Sequence, residues 1–216
     1  MKILISLVGL SHHDVGNFFH TYENCHENFF KYLVEPLRQG GHQVDFYLKT
    51  YETDRENKIK QIYNPVRSEF IRIQPAFDTY IQSVDTLKEM QYDFYIVTRF
   101  DLWLGVPIEL NYSKFNFLFK EKDWWDDHNI TTDIFYAFPE NMLTRFVKGV
   151  KDCRKNHAKF NAGDGRHRAR EHGYVGLFHN LYRDLKNYID PNQYHYIDEE
   201  KTTVQISEKY TVGRYR

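Results

Sequence analysis

The sequence predicts an α/β domain with a mostly parallel central sheet flanked by helices. Phe94–Val97 is a continuous run of β-branched and aromatic residues, which is typical of a strand covered on both faces. Earlier, a strand over Lys2–Val8, a helix and a strand over Val44–Leu48 follow one another as in a βαβ unit. The right-handed crossover of such a unit makes its two strands parallel neighbours.

Length and composition suit one folded domain. The 216 residues are 41% hydrophobic and 17% aromatic, which is not the composition of a disordered chain. The formal net charge of −1 provides no overall field that would attract nucleic acid or a membrane surface. Two cysteines cannot form a disulfide framework, and no apolar segment approaches the ~20 residues that span a bilayer. We therefore expect a cytoplasmic protein without a transmembrane segment.

The first half of the chain alternates predicted strands and helices. Each helix is predicted from apolar residues that recur on one face, and each loop from polar residues or glycines between such stretches. In order, the sequence predicts a loop over 11–17, a helix from about Glu23 to Arg38 ended by Gly40 and Gly41, a charged surface loop over Tyr51–Lys60, a helix from Pro75 to Met90, and a short continuation of the central strand over Asp101–Leu104.

The second half is predicted to be less regular. Its apolar runs are shorter, and a glycine-rich basic segment over Asn156–Arg168 separates two amphipathic stretches. In order, the sequence predicts strands over Phe115–Phe119 and Thr132–Phe138, helices from about Glu140 to Lys151 and from Arg170 to Lys186, and short strands over Tyr194–Ile197 and Thr203–Ile206.

Charged side chains follow the predicted central strand at its carboxyl end. The strand continues into Thr98, Arg99, Phe100 and Asp101. In open α/β sheets, ligands bind at the carboxyl ends of the strands. Asp101 is therefore a candidate ligand for Mg²⁺ or Mn²⁺, and Arg99, on the same face of the chain, is a candidate phosphate contact. The alternative is a structural ion pair between these two residues.

Three stretches in succession resemble GT-A-fold glycosyltransferases, a group that includes lipopolysaccharide-type and viral sugar transferases. They are the second strand, Val44–Thr50; Arg99-Phe100-Asp101-Leu102 in place of an Asp-x-Asp motif; and Asp133-Ile134-Phe135-Tyr136, followed by a helix with Met142 near its start. The resemblance covers roughly residues 2–150. The chain departs from the group because its first loop lacks an arginine and a strict Asp-x-Asp is absent.

The resemblance implies a single GT-A-like domain over 1–216, with a nucleotide-sugar-binding half over 1–104 and an acceptor-side half over 105–216. It implies transfer of a sugar from a UDP- or GDP-sugar to a glycan or glycoconjugate. The leaving diphosphate needs a countercharge, which either Mn²⁺ or Mg²⁺ at Asp101 or Arg and Lys side chains would supply. The expected catalytic residues are Asp101 and Asp133, and the expected donor-binding residues are Gly9, Ser11, His12, Thr50, Arg99, Arg166 and Arg168.

Other interpretations of the same residues stay open. Asp126 and Asp127 are either further catalytic carboxylates or solvated loop charges, and Trp124 and Trp125 either stack on an acceptor sugar or pack in the fold. The basic stretch Arg166–Arg170 is either a lid over phosphates or a solvated loop. A non-catalytic glycan- or nucleic-acid-binding module and another nucleotide-dependent transferase are the alternative functions, although the net charge disfavours nucleic acid.

Overall fold

The computed structural model describes residues 1–15, 18–74, 76–122, 129–131, 135–161, 185–202 and 210–212. Its strands are β1 (Lys2–Val8), β2 (His12–Val15), β3 (Phe18–Thr21), β4 (Gln43–Tyr51), β5 (Arg67–Ile71), β6 (Phe94–Thr98), β7 (Leu102–Leu104), β8 (Phe115–Lys122), β9 (Asn129–Thr131), β10 (Phe135–Pro139), β11 (Tyr194–Thr202) and β12 (Tyr210–Val212).

The helices are α1 (His26–Phe29), α2 (Glu35–Gln39), α3 (Glu56–Tyr63), α4 (Ala76–Leu87) and α5 (Leu143–Asn161), with a π-helical segment over Phe30–Val34 and 3₁₀ turns over Tyr22–Asn24, Glu140–Met142 and Pro191–Gln193. None of the described helices combines the length and the apolar character needed to cross a membrane.

One mostly parallel sheet forms the centre of the fold. Its strands follow the path β5-β4-β1-β6-β10-β8-β11, and β9 pairs with β8 beside this path. The pairs β1–β4, β1–β6, β4–β5 and β8–β11 are parallel, whereas β10 is antiparallel to both β6 and β8. This arrangement confirms the predicted α/β class and the predicted parallel βαβ unit.

Helices cover both faces of the sheet, because successive side chains of the central strands point to opposite sides. In β1, Ile3, Ile5 and Leu7 pack on the face covered by α1, α2 and α3. Leu4 and Val8 pack on the other face, which α4 and α5 cover. A strand buried on both sides is apolar at nearly every position, which accounts for the continuous runs in β1 and β6. Ser6 of β1 is a buried exception, and its hydroxyl lies 3.2 Å from that of Ser83.

Pro36 interrupts the hydrogen bonding of the helical segment that α1, the π-helical residues and α2 form together. Proline has no N–H and therefore cannot bond to the carbonyl four residues earlier, that of Tyr32. That carbonyl instead accepts a hydrogen bond of 3.2 Å from the Ile108 N–H. The helix is therefore hydrogen-bonded to the segment that follows β7, and this bond anchors that segment.

Two features of the first half differ from the sequence predictions. The loop predicted over 11–17 is instead the start of a hairpin, in which β2 pairs with β3 and only residues 16 and 17 separate the strands. The charged loop predicted over Tyr51–Lys60 contains the start of α3. That helix forms because Ile59 and Tyr63, four residues apart, are both buried on one face.

The predicted continuation of the central strand is also wrong. Leu102–Leu104 leaves the main sheet and pairs with β12 in a separate two-stranded sheet. The predicted helices from Pro75 and Glu140 correspond to α4 and α5, and β8, β10 and β11 correspond to predicted strands. The predicted strand over Thr203–Ile206 lies outside the described residues, as does nearly all of the predicted helix over Arg170–Lys186.

We expect the fold to lose stability at alkaline pH because of its buried tyrosines. Burial raises the pKa of Tyr63 and Tyr47 well above the ordinary range, and it raises the pKa of Tyr92 to about 12. Unfolded tyrosines ionise near pH ~10, whereas the folded ones keep their protons. The contribution of these tyrosines to the free energy of unfolding should therefore be constant below pH ~10 and fall above it.

The urea midpoint measured by circular dichroism from neutral to alkaline pH checks this expectation, with tyrosinate absorbance recorded in parallel. Ionisation of the buried tyrosines should coincide with unfolding. A midpoint that does not change up to pH ~12 would contradict the expectation.

Candidate functional site

The order of the strands reverses at β1. From β1 the chain continues to β4 and β5 on one side, and it then returns to form β6 on the other side. In open α/β sheets, ligands bind outside the carboxyl ends of the strands at such a reversal. The residues that leave β1 and β6 at this edge are 9–11 and 99–101. We call this side of the sheet the carboxyl edge.

The loop after β1 is held against β4 by hydrogen bonds. Gly9 has a φ of +97°, a conformation that favours glycine, and its N–H donates to the Lys49 carbonyl at 3.0 Å. The Thr50 hydroxyl donates to the Ser11 hydroxyl at 2.8 Å, and both residues are buried. The carbonyl of Ser11 accepts from the Tyr22 N–H at 2.8 Å. In this structure Ser11 and Thr50 therefore shape the loop, and their contact with a ligand stays a prediction.

A cleft of about 470 Å³ opens at the carboxyl edge beside β1, β4 and β5. Its volume lies in the range of small-molecule sites. The Ile73 side chain in its wall is 74% exposed, which is unusual among the large apolar residues that the structure describes. The cleft is lined by Leu10, His12, Tyr51, Glu52, Arg72 and Ile73.

Hydrogen bonds fix the wall of this cleft. The Tyr51 hydroxyl donates to the Gln74 carbonyl at 3.1 Å and accepts from the Thr79 hydroxyl at 3.1 Å. The Gln74 amide donates to the same Thr79 hydroxyl at 3.1 Å. Elsewhere in the lining, Nδ1 of His12 lies 3.2 Å from the Thr21 hydroxyl. These bonds position the segment with Arg72 and Ile73 before any ligand arrives.

Arg99 and Asp101 form a bidentate ion pair at the end of β6. Nε of Arg99 lies 2.8 Å from Oδ1 of Asp101, and Nη2 lies 2.8 Å from Oδ2. The Asp101 side chain is only 2% exposed, whereas that of Arg99 is 27% exposed. The structure thus has the ion pair that the spacing left as an alternative, with the cation on the accessible side.

The described residues do not fit a divalent metal ion at Asp101. Both carboxylate oxygens already accept hydrogen bonds from the Arg99 guanidinium. Within the described part of the chain, no group of three or more His, Cys, Asp or Glu residues could hold a metal ion. The predicted Mn²⁺ or Mg²⁺ therefore gains no support from this geometry.

A second cleft, of about 400 Å³, lies at the opposite edge of the sheet, where β1, β4 and β5 begin. Arg67 in its lining is already paired, since it lies 2.8 Å from Glu89 and 3.0 Å from Glu69. Asp45 accepts hydrogen bonds from Gln43 and Tyr92. This edge is away from the strand reversal, and its residues serve below as controls.

The structure brings several of the predicted site residues to the carboxyl edge: Gly9, Ser11, His12, Thr50, Arg99 and Asp101. Others lie outside the described residues: Asp133, Arg166 and Arg168, together with Trp124, Trp125, Asp126 and Asp127. The chain enters β10 at Phe135, which pairs with Thr98 of β6.

Five residues that line the cleft were not among the predicted site residues: Leu10, Tyr51, Glu52, Arg72 and Ile73. Glu52 follows β4 directly, so its place after a predicted strand was a usable signal. Arg72 and Ile73 follow β5, which was not predicted, and they had no such signal.

No family model matches the chain, and no curated protein resembles it at a significant level. The functional assignment therefore depends on the geometry of the carboxyl edge.

Proposed function

We propose that the chain is a GT-A-like glycosyltransferase. It binds a UDP- or GDP-sugar at the carboxyl edge and transfers the sugar to a hydroxyl of a glycan or glycoconjugate. The observation that carries the proposal is the strand reversal at β1, which lies between the cleft on one side and Arg99 on the other. An extended anionic ligand across this edge meets a pocket at one end and a cation at the other.

The lining of the cleft supports a nucleoside as its ligand. The exposed side chain of Ile73 offers apolar surface for a base, and Arg72 beside it offers a planar cation. Glu52 directly follows β4, and a carboxylate accepts hydrogen bonds from ribose hydroxyls. The cleft thus combines apolar and polar groups as small-molecule sites do.

The diphosphate of the donor would then lie toward β6. Neighbouring strands are ~4.8 Å apart, so a ligand in the cleft reaches Arg99 by crossing the loop after β1. In the transfer, the anomeric carbon exchanges its bond to the diphosphate oxygen for a bond to the acceptor oxygen. The electron pair of the broken bond leaves with the diphosphate, and the acceptor proton passes to a base, for which we propose Asp133.

Binding of the donor is tested by a thermal-shift panel of UDP-, GDP-, CMP- and dTDP-sugars, each with Mn²⁺ and with EDTA. We expect UDP- or GDP-sugars to raise the melting temperature by about 5 °C at ligand concentrations ~100-fold above Kd. Glu52→Gln and Arg72→Gln should weaken binding, because they change the cleft. Arg67→Gln, at the opposite edge, is the matched control and should not.

No shift with any nucleotide in either buffer would refute the proposal. Turnover is tested separately by the release of UDP or GDP in the presence of a glycan mixture. Saturable glycan binding without nucleotide binding would instead favour the non-catalytic module.

A further inference from the structure

We propose that Arg99 is a diphosphate-binding group that acts without a divalent metal ion, with Asp101 as its positioning residue. This inference rests on the function proposed above. It specifies which charge at the carboxyl edge contacts the diphosphate of the donor. The ion pair at the end of β6 is the observation that carries it.

The exposed fractions of the two side chains show which charge a ligand can reach. The carboxylate of Asp101 is 2% exposed, and the guanidinium side chain of Arg99 is 27% exposed. An anion approaching the carboxyl edge therefore meets the cation first. A hydrated metal ion would reach the carboxylate only after Arg99 had moved away.

The geometry of the pair also opposes a metal ion. A cation on Asp101 would lie within a few ångströms of the guanidinium, and like charges at that distance repel each other strongly in a partly buried site. Among the described residues, Asp101 belongs to no group of three or more His, Cys, Asp or Glu side chains that could offset this repulsion. Each carboxylate oxygen already accepts a hydrogen bond of 2.8 Å, so a metal ion would have to use the remaining lone pairs of a side chain that is 2% exposed.

The same geometry favours a phosphate. Two parallel hydrogen bonds to Asp101 fix the plane of the guanidinium, whose fork matches the oxygens of a phosphate group. Phe100 between them is buried, and its ring lies 5.8 Å from that of Tyr63, so the backbone of this segment is anchored. A cation held in this way is preorganised for charge that develops on a leaving diphosphate.

The test is isothermal titration calorimetry with UDP, GDP and inorganic pyrophosphate, each in EDTA and in Mn²⁺, on the full chain. We expect equal affinity in the two buffers. Asp101→Asn should weaken binding in EDTA by a smaller factor than the loss of Arg99 does, because the charge of Arg99 stays and only one of the two hydrogen bonds that fix its plane is lost. The double variant Arg99→Met/Asp101→Leu removes that charge without leaving a buried carboxylate, and it should weaken binding about tenfold or more. Arg67→Gln is the control and should bind as the wild type does.

The outcomes separate this inference from the proposed function. UDP or GDP binding that requires Mn²⁺ and is lost in Asp101→Asn would overturn the inference and leave the proposed function intact. If neither UDP nor GDP binds in either buffer, the proposed function fails. The pyrophosphate arm then decides the inference: metal-free binding that the double variant loses supports it, and no such binding overturns it.

Discussion

Replacing Arg99 with alanine is expected to lower the free energy of unfolding by about 3 kcal/mol. The change removes the cation that neutralises Asp101, whose side chain is 2% exposed. A carboxylate that loses its partner in such a place keeps its desolvation cost without the compensating attraction. Because Arg99 itself is 27% exposed, the expected loss lies at the lower end of the range for buried pairs. Urea denaturation at neutral pH measures it.

The control is the double variant Arg99→Met/Asp101→Leu. Replacing both charges by apolar residues removes the desolvation cost together with the attraction, so this variant should be close to the wild type in stability. If Arg99→Ala alone were as stable as the wild type, the ion pair would not contribute to the stability of the fold. The proposal that this pair holds Arg99 in place for a diphosphate would then be contradicted.

Phe115→Ala is expected to cost about 4 kcal/mol, because it opens a cavity among aromatic rings. Phe115 is fully buried where β8 meets β10 and α5. Its ring lies 4.9 Å from Phe117, 5.1 Å from Phe138 and 5.7 Å from Phe146. Several large neighbours that pack against one another cannot all move into the space, so much of the cavity should persist.

Tyr112→Ala provides a comparison of similar size at the surface. Tyr112 is 37% exposed, although its ring also contacts another aromatic ring, that of Phe94, at 5.3 Å. We expect a loss of about 1 kcal/mol, measured as above by urea denaturation. Equal losses for the two variants would mean that the cluster around Phe115 is not a tightly packed core.

The sequence was most informative where burial dictates a pattern. β6 is buried at every position, and α4 carries its apolar residues on one face, so both could be predicted. The hairpin of β2 and β3 was missed, although Gly16 and Asn17 between its strands are a recognised turn signal. The direction of β10 could not be predicted, since a strand buried on both faces has the same apolar pattern in either direction.

The position of the candidate site was predictable from the sequence, but the pairing of Asp101 with Arg99 was not. A strand end followed by Arg99 and Asp101 places both residues at the carboxyl edge. Their spacing allows either a metal ligand with a neighbouring phosphate contact or a closed ion pair, because both arrangements need the two side chains on one side of the chain. The choice between them depends on which charge is buried, and burial is set by residues far away in the sequence.

The strand order has a consequence for the newly synthesised chain. β5, β4, β1 and β6 are neighbours in the sheet and are complete once Thr98 has been made. The outer partner of β6 is β10, which begins only at Phe135. During the synthesis of the residues between them, an apolar strand edge is open to pairing with other chains, and such edges promote aggregation. The same feature makes a fragment that ends soon after β7 a poor candidate for separate expression, even though it contains the strand reversal and the cleft.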